Sequence, residues 1–224
     1  MIEYLFIILG IVISGAAQIF VTSSYNKYKK VANNKGLTGY DVARLILDEH
    51  NMSNIYVVEV GGVLSDHYDP TRKVVRLSTE VFHGGTIAAV SVAAHEVGHA
   101  IQDKENYSFM KLRALIFPVV NFASYAGYIA VMIGIIFSLT DLLWLGILCE
   151  LVILTFQLVT LPVEIDASKR ALVELQKNKL LETKEIEGSK KMLIAAASTY
   201  VASVVTALFQ ILRLVLIAGR TDDK

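Results

Sequence analysis

Residues 114–139, ALIFPVVNFASYAGYIAVMIGIIFSL, run for 26 positions without a formal charge. After the break Thr140-Asp141, residues 142–161, LLWLGILCELVILTFQLVTL, add 20 more with Glu150 as their one acid. Spanning about 30 Å of hydrocarbon takes roughly 20 helical residues, so each stretch can cross a bilayer and the pair reads as a transmembrane hairpin. Outward from it, residues 4–23 carry no charge and residues 192–219 carry only Arg213. Residues 4–23 lack a basic leading region and are followed by Lys27, Lys29 and Lys30 rather than a small-residue cleavage site, which reads as a retained anchor and not a signal peptide. The last stretch exceeds one span, so it is expected to tilt or to begin above the bilayer near Tyr200. Glu150 and Arg213 are costly alone in hydrocarbon and are expected to face protein and pair across the third and fourth spans.

The 224 residues are 54% hydrophobic and 19% charged, with a mean hydropathy of +0.52, too apolar for a disordered or ordinary water-soluble chain. Lys+Arg and Asp+Glu balance at 21 each; no global basic field argues for nucleic acid, and the expected environment is the lipid bilayer. Cys149, the single cysteine, can make neither an internal disulfide nor a Cys-based metal site. Short loops rich in Lys and Arg stay cytoplasmic. Eleven of the 21 bases lie within residues 27–113 and seven within 169–191, which assigns both hydrophilic segments, 24–113 and 162–191, to the cytoplasm. Four spans then leave the N-terminus, the Thr140-Asp141 turn and residues 220–224 outside. The expectation is a multi-pass α+β protein of the cell's inner membrane, four transmembrane helices carrying a small cytoplasmic α+β unit.

Within that unit, Thr38 and Asp41 make a capping-box-like start to a helix running to about His50, with Val42, Leu45 and Ile46 as its apolar stripe. Residues 55–60 are β-branched and aromatic enough for a strand, ended by Gly61-Gly62. Residues 66–71, with Asp69-Pro70, read as a turn. Residues 73–77 read as a second strand with one wet face, and residues 86–102 as an Ala-rich helix.

That helix carries His95, Glu96, Val97, Gly98 and His99, the spacing H-E-x-x-H. Positions i and i+4 share a helix face, so two imidazoles can reach one metal ion, with Glu96 beside them. A zinc ion so bound lowers the pKa of its water from 15.7 toward ~7, and a neighbouring carboxylate can take the proton. Chance generates the spacing in roughly 0.6% of chains of this composition. The competing reading, core histidines beside a surface acid, sits badly with an otherwise apolar run from residue 87 to 101, where buried polar groups need strong partners. Gly98 costs about 1 kcal/mol relative to Ala in a helix interior, which points to a close backbone approach.

Catalytic zinc generally takes three protein ligands and leaves a position for water. His50, His67 and His83 all lie upstream, and the longer pattern ending in a third histidine fails because Gln102 and Glu105 occupy its Gly and His positions. A downstream carboxylate is favoured. Glu164 emerges after the third span on the side where the H-E-x-x-H helix precedes the second, so antiparallel packing of the hairpin would bring it to the metal. Its competing reading is a first-turn acid after Pro162 at a helix N-terminus. Asp166 is the alternative ligand or an outer partner, and could equally pair with Arg170 at i+4. Asp66, His67 and Asp69 read as an Asp-rich turn before proline more readily than as a second metal site; His67 and Tyr68 are weak candidates for stabilising the oxyanion.

Residues 65–70 (SDHYDP), 75–78 (VRLS), 91–102 (SVAAHEVGHAIQ) and 161–168 (LPVEIDAS) together resemble the bacterial integral-membrane neutral zinc metallopeptidases of the YugP-like type. The likeness covers nearly the whole chain, including the four-span layout, although Ile165 stands where an aromatic is expected. It implies a zincin-like (gluzincin-like) catalytic unit that cleaves peptide bonds at the membrane; with the orientation read from the basic residues, the expected substrate is a membrane or unfolded polypeptide at the cytoplasmic face. His95, His99 and Glu164 would hold Zn2+, and Glu96 would be the catalytic base. Heat-shock membrane metalloproteases with a glutamate ligand typically carry Asp four residues after it; here that position is Ser168. The likeness further implies that residues 73–77 form the sheet edge that receives an extended peptide. A non-catalytic membrane zinc sensor or transporter is the rival function, and a homo-oligomer is compatible with either.

Overall fold

The computed structural model describes residues 2–62 and 65–222. Its elements are α1 (Ile2–Tyr28), α2 (Gly39–Glu49), β1 (Tyr56–Val60), β2 (His67–Asp69), β3 (Val74–Ser78), α3 (Thr79–His83), α4 (Ile87–Lys104), α5 (Ser108–Phe137), α6 (Thr140–Lys177) and α7 (Thr183–Asp222). Helices α1, α5, α6 and α7 are long and apolar enough to cross a membrane; they contain the stretches 4–23, 142–161 and 192–219, and α5 covers 114–137 of the stretch 114–139. Helix α6 continues through Pro162 to Lys177, so Pro162 does not start a new helix; long apolar helices tolerate an internal proline. The hydrophilic segment 162–191 is shared between two helices, because α6 ends at Lys177 and α7 begins at Thr183.

The chain divides into two compact units, one made of Met1–Ile19, Phe109–Pro162 and Ser198–Lys224, the other of Phe20–Ser108 and Val163–Ala197. In the first, glycines set the approach of α5 to α6. A Cβ on Gly127 would lie 2.7 Å from Cys149 Cβ, and one on Gly146 would lie 2.3 Å from the Val131 side chain. Close backbone packing through small residues drives helix association where water supplies no hydrophobic force. Leu143 and Ile147 of α6 cluster with Leu214 and Ala218 of α7. The expected Glu150–Arg213 pair is not formed: Arg213 Nη1 donates to Gln210 Oε1 at 3.3 Å on its own helix, and its buried Nε has no hydrogen-bond partner among the described residues.

The second unit surrounds α4. Its neighbour α2 starts at a complete capping box, Thr38 N–H donating to Asp41 Oδ2 at 2.9 Å and Asp41 N–H to Thr38 Oγ1 at 3.2 Å. Val42 and Ile46 are fully buried as expected, but Ala43 and Leu47 complete the stripe and Leu45 is exposed. The sheet has order β1-β3-β2, with β1 parallel and β2 antiparallel to β3. Two expectations are corrected here. The supposed turn 66–71 contains β2, three residues too short to announce themselves. Residues 74–77 belong to β3, the central strand, whose two hydrogen-bonding sides are taken by β1 and β2; it is buried apart from Arg76 and is not an edge, and Lys73 lies in the turn before it. Helix α4 begins with Thr86 Oγ1 accepting from Ala89 N–H at 3.2 Å and is buried on nearly every side. Its run of Ala, Ser and Gly lets neighbours close in, as at Ser91, whose hydroxyl donates to Ser189 of α7 at 2.7 Å.

Candidate metal centre

His95 and His99 lie one turn apart on α4 with their rings edge to face, centroids 4.8 Å apart and planes at 82°. Glu164 of α6 stands across from both: its Oε2 is 3.3 Å from His95 Nε2 and 3.6 Å from His99 Nε2. One ligand atom from each of the three can be chosen so that all lie within 4.8 Å of one another. His99 and Glu164 are buried and His95 nearly so. Two imidazole nitrogens and a carboxylate oxygen are the donors zinc prefers, and three of them leave a fourth position open; the residues present fit the ion.

The backbone makes this convergence possible at Gly98. A Cβ there would sit 2.6 Å from the Ala167 carbonyl oxygen, closer than real contacts allow, so α6 passes directly over the glycine between the two histidines. Any side chain at position 98 would hold the Glu164 helix away from the imidazoles. The close approach inferred from the helical cost of Gly98 is therefore the contact that seats the third candidate ligand.

Outer partners orient each group. Ser168, one turn after Glu164, places Oγ 3.1 Å from His95 Nδ1, within hydrogen-bond reach. Gln102, one turn after His99, places Oε1 3.0 Å from His99 Nδ1 and donates through Nε2 to Val163 O at 2.8 Å and Asp166 Oδ2 at 2.9 Å. Asp166 is also bound by Arg170 Nε at 2.5 Å; it acts on the cluster through Gln102 and is not among the converging groups. Glu96 is buried, and its Oε2 accepts the Tyr68 backbone N–H of β2 at 3.0 Å. Burial disfavours the His99 imidazolium, but hydrogen bonding to Glu164 and the charges of Glu96 and Glu164 outweigh it and hold its pKa above the ordinary value. The neighbouring negative charge that favours the imidazolium also favours a cation there.

The remaining candidates serve the framework. Asp66 accepts from Ser78 N–H at 2.7 Å and fixes the end of β3, and Asp69 Oδ1 closes its turn on Thr71 and Arg72 N–H, each at 3.0 Å. His67 is exposed and lies beside the Ser65 carbonyl, while Tyr68 O–H donates to Asp103 at 2.7 Å, so neither side chain joins the triad. His50 faces Glu174 and His83 faces Glu59. What sequence reasoning passed over is Gln102, noted there only as a departure from another pattern; its position three residues after His99, on the same helix face, was the available signal.

Over residues 3–219 the chain matches the protein family described as "putative neutral zinc metallopeptidase". It is 46% identical to the "putative membrane protease YugP" of Bacillus subtilis (strain 168), the alignment covering 98% of this chain and 100% of that protein. No solved structure matches it. With a match of this length around a buried His, His, Glu cluster that fits a metal ion, the chain belongs to the neutral zinc metallopeptidase family.

Proposed function

We propose that the protein is a membrane-bound zinc endopeptidase that hydrolyses peptide bonds of unfolded or membrane polypeptides at the cytoplasmic face of the inner membrane. The observation that carries this reading is the convergence of His95, His99 and Glu164 within 4.8 Å, with the buried Glu96 next to His95 in the chain. His95, His99 and Glu164 hold the zinc. When bound, the ion supplies Lewis acidity, lowering the pKa of a water toward ~7 and polarising the scissile carbonyl. Glu96 takes the proton of the attacking water and returns it to the leaving amine. The Tyr68 N–H fixes one oxygen of that carboxylate and leaves the other for the proton. Because β3 is central, an extended substrate that pairs with the sheet adds to an outer strand, and β2 is the one tied to Glu96.

The test is Glu96→Gln, which keeps an oxygen for the Tyr68 amide but cannot hold a proton. Purified in detergent, it should bind zinc as the parent does, with cleavage of a labelled unfolded polypeptide reduced by about 10²–10⁴-fold. Parent-like cleavage by the variant would remove Glu96 from the chemistry. A parent that binds zinc and cleaves nothing would favour a zinc sensor or transporter.

A further inference from the structure

We infer that Gln102 is a positioning residue that selects which nitrogen of His99 faces the metal; the inference rests on the metal-site reading but not on hydrolysis. A side-chain amide can be flipped, and its orientation must be settled by its neighbours. Here they settle it. One end of the Gln102 amide faces the Val163 carbonyl oxygen at 2.8 Å and Asp166 Oδ2 at 2.9 Å. Neither can donate: one is a main-chain carbonyl and the other a carboxylate already accepting from Arg170 Nε. The flipped amide would set an oxygen against two acceptors, so this end is the NH2 group and both its hydrogens are used.

Gln102 Oε1 is then left facing His99 Nδ1 at 3.0 Å, and an oxygen with no hydrogen can only accept. In the neutral ring that binds a metal, Nδ1 must therefore carry the proton, and Nε2, the atom that faces Glu164 Oε2 at 3.6 Å, is the one left with a lone pair for the ion. His95 has no such constraint: its Nδ1 meets the Ser168 hydroxyl, which can donate or accept. The direction of the bonds is imposed from outside the cluster. Arg170 Nη1 also binds Glu105 Oε2 at 2.6 Å, so the chain in which His99 donates to Gln102, and Gln102 and Arg170 both donate to Asp166, is anchored near the surface. The same Gln102 ties α4 to α6 beside Glu164 through Val163. One fully buried amide thus fixes both the tautomer of a ligand on one helix and the seating of the helix that brings the other.

The test uses the full-length protein in detergent, with zinc and cobalt(II) as probes. In the zinc-loaded parent, ¹⁵N-histidine spectra should report His99 protonated at Nδ1 and metallated at Nε2. Gln102→Met, close in size but without donor or acceptor, should weaken zinc binding about 10–100-fold. It should also speed solvent exchange of the His99 Nδ1–H seen in the cobalt-substituted protein. Gln102→Glu, with one oxygen protonated to donate to Asp166 and the other accepting from His99, restores an acceptor for that proton and should recover slow exchange, which a space-filling role does not predict. Metal on His99 Nδ1 in the parent, or parent-like zinc affinity and exchange in Gln102→Met, overturns the inference. If Gln102→Met does not fold, the parent spectrum and Gln102→Glu still decide. None of these readouts depends on peptide cleavage, so a failure of the hydrolase reading is distinguishable.

Discussion

His99 shows how a residue's surroundings set its chemistry. Zinc competes with protons for imidazole nitrogen, and the pKa of His99 lies above its ordinary value because Glu164 and Glu96 outweigh burial. Zinc affinity should therefore begin to fall, as pH is lowered, above the ordinary histidine range; retention measured across pH checks this, and affinity unchanged through that range would contradict it. Without metal the sign reverses. The protonated pair of His99 with Glu164 supports the fold at low pH, and that support is lost as pH rises through the raised pKa. Ser168→Ala, which removes the oxygen at His95 Nδ1, should weaken zinc binding by about tenfold and leave the helices in place, as zinc titration and circular dichroism would report. The two histidines and Glu96 were legible because their spacing is local to one helix. Glu164 was legible only through the reach of a membrane hairpin, and the work of Gln102 and Ser168 was not, since it consists of contacts between helices about 60 to 70 residues apart in sequence.

At the scale of elements, the contact of α4 with α6 rests on a missing side chain. Gly98→Ala places a methyl 2.6 Å from a backbone oxygen, which cannot rotate away. The expected cost is about 1–3 kcal/mol, together with loss of zinc affinity as Glu164 withdraws; a thermal melt and a zinc titration measure the two. Helix ends follow a second rule. After α2, α4 and α6 the chain turns through a left-handed residue, Asn51, Asn106 and Lys179, with φ of 52°, 59° and 51°. The next amide bonds back to the helix, Met52 to Leu47 O, Tyr107 to Gln102 O and Leu180 to Leu175 O, the closing pattern that glycine usually serves. Lys179→Gly should stabilise the protein by about 0.5–1 kcal/mol, read as a higher unfolding temperature in detergent; no gain would mean that Lys179 is held there by more than the turn. Such ends are hard to read from sequence because asparagine and lysine carry a weaker signal than glycine. The edge assignment of residues 73–77 failed for a similar reason: alternation marks a strand but not its neighbours.

For the whole molecule, four long apolar helices and membership of a family with a membrane protease relative agree on the bilayer. The proposed orientation follows from where the bases lie. With Cys149 replaced by Ala, single cysteines at Lys35 or Glu187 should resist a membrane-impermeant maleimide in intact cells, while one at Asp141 should react. The opposite pattern would put the metal-binding segments outside and overturn the cytoplasmic assignment.

Length, apolarity and the H-E-x-x-H spacing by themselves marked four helices long and apolar enough to cross a membrane and one helix whose histidine spacing suits a zinc ion, because each is a property of consecutive residues in one element. Only the tertiary structure decided that β3 is central, that Asp166 meets Gln102, and that Ser168 lies against His95. Those outcomes depend on which surfaces meet, and a meeting is set by the shapes of both partners, down to the absent Cβ of Gly98.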